Sequence, residues 1–123
     1  MIDHVSVAVR DLAAAMRFYD ALLAVLGYQR LDTRSATAGY GKKYSEFWIN
    51  LRANAVPSDG AHVCLRASST DIIGAFHAAA LKAGGTSNGA PGLRPHHGAN
   101  GYYAAFIRDL DGNCIEAVTF VGK

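Results

Sequence analysis

Apolar residues recur along this chain in two rhythms. From Ile2 to Val9 they alternate, with Val5, Val7 and Val9 pointing one way and His4, Ser6 and Ala8 the other. From Leu12 the period lengthens, and Leu12, Met16, Tyr19, Leu23 and Leu26 fall on one stripe of a helix spanning 12–26. Asp11 stands where an N-cap is wanted, and Gly27 where a left-handed residue closes the last turn. Tyr28 to Leu31, Ala38 to Lys43 and Ser45 to Arg52 then read as three short strands. The first 53 residues or so predict a β-α-β-β-β module.

The same order returns in the second half. Asn54 to Gly60, with Pro57 and Asp59-Gly60, reads as a linker, and His62 to Ala67 alternates again, Val63, Leu65 and Ala67 sharing a face. Ser69 or Thr70 caps a helix from about Asp71 to Ala83 that stops at Gly84-Gly85. Tyr102 to Arg108 and Asn113 to Phe120 form a closing hairpin with Asp111-Gly112 as its turn signal. Between helix and hairpin, Thr86 to Gly101 is rich in Gly, Pro and Asn and reads as a long loop. The match between halves is positional: His4-Val5, Phe18 and Gly27 are echoed by His62-Val63, Phe76 and Gly85, each 58 residues later. That period is too long for a solenoid repeat and too short for a domain. It fits a duplicated supersecondary module sharing one core. The expectation is a single α+β domain over 1–123, built from modules at about 1–53 and 61–120. Its mixed sheet is cupped, with the helices on the outer face.

Composition narrows the partners. With 123 residues and 50% hydrophobic content, the chain buries a core without needing a disulfide or a metal to fold. Its net charge is +2, and no basic run exceeds Lys42-Lys43, which argues against a nucleic-acid partner. No apolar stretch approaches the ~20 residues of a membrane span, and the strand pattern begins without a basic leader. Cys64 and Cys114 form neither a CxxC pair nor a disulfide framework. The expectation is a reduced, cytoplasmic protein.

Helix-facing positions on the strands are apolar, so the opposite face collects the unusual side chains. Those are His4, Ser6, Trp48, Asn50, Arg52, His62, Cys64, Cys114 and Glu116. One histidine stands at the same point of each copy, which makes a pseudo-two-fold site the first functional idea.

At this point the chain resembles the vicinal oxygen chelate superfamily, which includes glyoxalase I, extradiol dioxygenases, fosfomycin-resistance thiol transferases and bleomycin-binding proteins. The resemblance rests on the doubled module, the early His-Val of each copy and Phe18-Tyr19. It also rests on the run Tyr103-Ala-Ala-Phe-Ile-Arg-Asp109-Leu-Asp-Gly-Asn113-Cys-Ile-Glu116. It covers Ile2 to about Thr119. It implies divalent-metal ligands on the first and last strands of each module: His4, Asn50, His62 and Glu116, of which His4, His62 and Glu116 are credible. Zn, Ni, Mn or Fe would suit two imidazoles and a carboxylate. A metal with open positions would polarise the vicinal oxygens of a small substrate. Glu116 could double as a displaced base. A neutral Asn50 departs from the glyoxalase I pattern, and Leu110 stands where the turn usually has proline.

Three functional readings follow. The first is a small metal-dependent lyase, isomerase or dioxygenase. The second is a metal-free binding or sequestering protein of the bleomycin-resistance type. For that type a +2 chain argues against a cationic drug but leaves an anionic or aromatic compound open. The third is a scaffold for self-association. The resemblance also implies a homodimer. Trp48, Asn50, Arg52 and Tyr103 are the candidate substrate contacts; of Tyr102 and Tyr103, one faces the cup, and the sequence does not say which. Arg94, His96 and His97 sit in the 86–101 loop, either as a lid over the cup or as a solvated turn. Cys64 and Cys114 read as small side chains filling the cup floor. His77 reads as a surface or packing residue.

Overall fold

The computed structural model describes residues 1–95 and 100–122. Strand β1 (Val5–Val9) leads into helix α1 (Leu12–Val25), followed by β2 (Gln29–Thr33), β3 (Thr37–Gly41) and β4 (Ser45–Leu51). The second half repeats this as β5 (His62–Arg66), α2 (Thr70–Lys82), β6 (Thr86–Leu93), β7 (Tyr102–Arg108) and β8 (Cys114–Phe120). Each half folds its own four-stranded mixed sheet, in the orders β1-β4-β3-β2 and β5-β8-β7-β6. In both, the first strand runs parallel to the last and the other pairs are antiparallel. The cup expected from the sequence is therefore two sheets of identical topology, one with β1 and β2 at its edges and the other with β5 and β6.

The helix ends form by local chemistry. The Asp11 carboxylate accepts from the Ala14 N–H at 3.0 Å, and the Ser69 hydroxyl accepts from Ile72 N–H at 3.2 Å. Each such cap contributes about 1 kcal/mol. Gly27 and Gly84 close the helices at φ +85° and +105°, a region where a side chain would be strained.

One contiguous core joins the halves. Phe18, Tyr19, Leu22 and Leu23 of α1 meet Ile73, Phe76 and Ala80 of α2. Phe47 and Ile49 cover this cluster from the first sheet, and Ile107, Ile115 and Ala117 from the second. The repeated Phe18 and Phe76 are both fully enclosed, at 1% and 0% exposure, so the duplication places its two aromatic anchors in the same interior. The two helices pack against each other.

The 86–101 segment departs from the expected loop. Thr86–Leu93 is a strand, pairing antiparallel with β7. It tolerates its Gly and Pro content because it is an edge strand whose register shifts between Ser87 and Gly89 and again between Gly89 and Gly92. Pro91 falls inside the second shift, where its missing N–H costs no ladder bond. His96 and His97 lie outside the described residues.

A buried carboxylate locks the modules together. Asp109, 6% exposed, accepts the Tyr19 hydroxyl at 2.6 Å from α1. It also accepts the backbone N–H groups of Asp111 and Asn113 at 2.9 and 2.8 Å, which shapes the β7–β8 turn. Asn113 in turn donates to the Ala8 carbonyl of β1 at 2.9 Å, and Arg10 pairs with Asp111 at 3.0 Å. The helix of one half is thus tied to the turn of the other.

Two stability predictions follow from this packing. Tyr19→Phe removes a donor from a buried carboxylate and should cost about 1–3 kcal/mol in urea denaturation at neutral pH. Burial, and then the charge of Asp109, raise the Tyr19 hydroxyl well above 10.0. The folded state therefore holds this proton where the unfolded chain releases it, and its stabilisation is complete below pH 10 and lost as pH climbs beyond. The variant should show a shallower alkaline decline than the parent; an equally steep one would remove Tyr19 as its source. At Gly85, an added Cβ would lie 2.8 Å from both the Arg108 carbonyl and the Phe18 ring. Gly85→Ala should accordingly lose about 1–3 kcal/mol by overpacking, measured the same way.

Candidate functional site

Strand parity places the polar groups on the sheet faces away from the helices, and the second module gathers them tightly. Glu116 of β8 is 1% exposed, yet both its oxygens are satisfied. Oε1 lies 3.0 Å from His62 Nε2 of β5, and Oε2 accepts the Tyr102 hydroxyl of β7 at 2.5 Å. A hydrogen bond to a carboxylate places a proton on His62 Nε2, and in the neutral imidazole Nδ1 is then the acceptor, pointing away from Glu116. The imidazole side chain is 48% exposed, so that acceptor is accessible. Burial, and then the hydrogen bond to Glu116, push the Tyr102 phenol above its ordinary value, so it stays a donor throughout the neutral range. Phe106 packs beside His62 with ring centroids 6.2 Å apart, and Arg66 lies over Phe120 at 4.9 Å.

Cys64 shares this face. The sheet draws its sulfur partly out of water although the residue as a whole is exposed; this desolvation, and then the charge on Glu116, raise the thiol from 9.0 to about 12. At neutral pH this holds the group as the thiol, a poor nucleophile. Cys114 accepts from Asn88 Nδ2 at 3.3 Å, and both cysteines are free. His77 hydrogen-bonds Ser87 at 2.8 Å across α2 and β6, and burial lowers its pKa.

The first module carries a different set. Trp48 and Asn50 of β4 face a hollow of about 270 Å³ with His4, Ser6, Arg34 and Thr37. His4 precedes β1, is 59% exposed on its side chain, and its Nδ1 lies 2.8 Å from Asp3. A groove of about 340 Å³ between the sheet edges is lined by both His4 and His62.

Register revises the correspondence between the halves. Ser6 pairs with Trp48 just as Cys64 pairs with Glu116, so the counterpart of Glu116 is Trp48. Asn50 lies one step further, opposite Ala8, and matches Val118. The match of Asn50 to Glu116, carried over from the family resemblance, is therefore off by two residues, because strand pairing and not motif order sets which positions correspond. Two other candidates also move. Tyr103 packs against the core, and Tyr102 takes the place facing Glu116; Ile107 pairs with the core-facing Ile115, which fixes the parity. Arg52 follows the end of β4 and folds back onto the Leu51 carbonyl at 2.9 Å, in a separate shallow hollow. The arginine that covers Trp48 is Arg34, 5.2 Å from the ring centroid, in the β2–β3 turn, where no motif marked it. Arg94 is folded onto the Gly92 and Ala90 carbonyls and stacks over Phe106.

The sequence model of the Glyoxalase/Bleomycin resistance protein/Dioxygenase superfamily matches residues 1–117. The chain belongs to that superfamily. It is 35% identical to a glyoxalase/bleomycin resistance protein from Albidiferax ferrireducens T118, with a TM-score of 0.86 over 94% of this chain and 96% of that one. A family enzyme from Burkholderia phytofirmans PsJN shares the fold at 17% identity and a TM-score of 0.76, covering 98% of each chain. A putative glyoxalase from Bacillus halodurans does so at 22% and 0.73, over 96% and 94%. No curated protein matches the chain.

The superfamily often uses divalent metals, and the donor set present here tests that expectation. His62 and Glu116 meet, but His4 turns to Asp3, and among the described residues no three His, Cys, Asp or Glu side chains converge as metal ligands. Both oxygens of Glu116 are already taken by protein donors. The described residues of one chain do not fit a three-ligand centre.

The Cys64 thiol reports on this cluster. In a Cys114→Ser background, alkylation by iodoacetamide near neutral pH should be about tenfold or more slower in the folded protein than in denaturant. Glu116→Gln removes the neighbouring charge and should raise the folded-state rate. An unchanged rate would show that Glu116 does not hold the thiol protonated.

Proposed function

We propose that this chain binds a small, oxygen-bearing organic molecule by direct hydrogen bonds on the polar face of the second module, without a metal. The observation that supports it is the closed triad His62–Glu116–Tyr102. Glu116 is buried and saturated, so its role is positional: it fixes the tautomer and plane of His62. His62 then offers Nδ1 as an acceptor to a ligand hydroxyl, and as the group that takes its proton if the bound molecule reacts. Phe106 and Cys64 give this spot an apolar border. A catechol-like pair of adjacent oxygens is a suitable ligand class. A reduced cytoplasmic setting is supported by the two free cysteines, and no helix among the described residues is long and apolar enough to cross a membrane. A homodimer, common among the proteins this chain resembles, belongs to the same proposal.

The second reading is a metal-dependent lyase, isomerase or dioxygenase using His4, His62 and Glu116 with Zn, Ni, Mn or Fe. The 3.0 Å contact of two of its three ligands favours it. The two readings separate cleanly. Under the first, protein purified without chelator and incubated with each metal binds less than one equivalent, and His4→Ala changes nothing. Catechol in the presence of EDTA then raises the melting temperature of the parent and not of His62→Ala. One metal per chain, lost in His4→Ala, or a catechol effect that EDTA abolishes, would replace the first reading by the second.

A further inference from the structure

The first module supplies the polar face with chemistry the second lacks, and that chemistry selects a ligand. At the register position of Glu116 stands Trp48, and over its ring lies the guanidinium of Arg34 at 5.2 Å. That guanidinium is 64% exposed and makes no hydrogen bond among the described residues. Its nearest acid, Asp32, is 3.7 Å away and already accepts the Ser45 hydroxyl at 2.6 Å. The remaining wall is His4, Ser6, Thr37 and Asn50, with no carboxylate in the lining. Thr37 holds the Asn50 amide at 2.5 Å, and Asp3 holds His4 through Nδ1, so His4 Nε2 faces no protein partner among the described residues. A hollow of about 270 Å³ thus combines an aromatic floor, a planar cation only loosely paired with Asp32, and two polar groups held by neighbours.

We propose that this hollow is a subsite for a planar carboxylate, that is, an aromatic or conjugated acid. Guanidinium and carboxylate pair edge to edge in one plane. A carboxylate paired with the outer edge of Arg34 lies in the guanidinium plane, beside Trp48. A flat ring continues that plane, whereas a puckered ring must leave it. Trp48 then contributes stacking as well as apolar contact. The proposal rests on the reading that the polar face takes a small molecule, and it names the class of that molecule's first-module end.

Trp48 is the only tryptophan in the chain, so its fluorescence reports the subsite directly. Benzoate, titrated in the presence of EDTA, should change the emission saturably. Cyclohexanecarboxylate (an equal charge on a puckered ring) and benzamide (a flat ring without charge) should each bind about tenfold more weakly or worse. Arg34→Gln should abolish the benzoate response, and Arg34→Lys should weaken it severalfold, because an ammonium cannot form the planar fork. Arg52→Gln should leave it unchanged, and so should His62→Ala, which separates this subsite from the catechol response of the second module. Absence of a saturable benzoate signal in the parent protein, or equal affinity in Arg34→Gln, would overturn the proposal. Equal affinity for cyclohexanecarboxylate, or in Arg34→Lys, would overturn its requirement for planarity.

Discussion

Asp109 is the constraint on which the arrangement of this molecule turns. A carboxylate nearly removed from water is tolerable only when its lone pairs are filled. Here they are filled by the Tyr19 hydroxyl, two backbone N–H groups and the Asn113 amide. One of those donors belongs to the first module and the rest to the second, so the requirement can be met only when the modules are docked in one orientation. The apolar core holds the halves together without strong directional preference, whereas this hydrogen-bond set specifies how they meet. Through Asn113 and Ala8 it reaches the edge of the first sheet, and so positions both polar faces relative to the same framework.

On that framework the two halves have diverged in chemistry while keeping their backbone. The strand orders and directions are the same, and the aromatic anchors Phe18 and Phe76 share an interior. The polar faces are not alike. Where the second module buries an acid held by an imidazole and a phenol, the first presents an indole beneath a guanidinium. Symmetry of fold therefore does not produce symmetry of site. A pair of unlike half-sites suits a ligand with two unlike ends, one read by hydrogen bonds and the other by stacking and charge.

Most of the fold was legible in the sequence because its signals are local and repeated. Alternation, helical stripes, Asp11, Ser69 and the closing glycines each act within a few residues, and their recurrence marked the duplication. The strand Thr86–Leu93 was not legible, since Gly89 and Pro91 look like loop residues until their partner strand supplies the bulges that accommodate them. The site was legible in part. His62, Glu116 and Trp48 stood on the polar face by parity, whereas Tyr102 took the place expected of Tyr103 once Ile107 paired with Ile115. Arg34 was not recoverable, because a turn residue acquires its neighbour only when β2, β3 and β4 are aligned.

The sequence by itself determined two copies of one supersecondary unit, which side of each strand faces the helices, and the residue types available to a site. Those properties follow from periodicity and short-range sterics, which act before the chain is folded. The tertiary structure decided which residues correspond between copies, which of two adjacent tyrosines reaches Glu116, and which arginine covers Trp48. Register and turn geometry set these outcomes through hydrogen bonds between residues distant in sequence, and a shift of one residue moves a side chain to the opposite face.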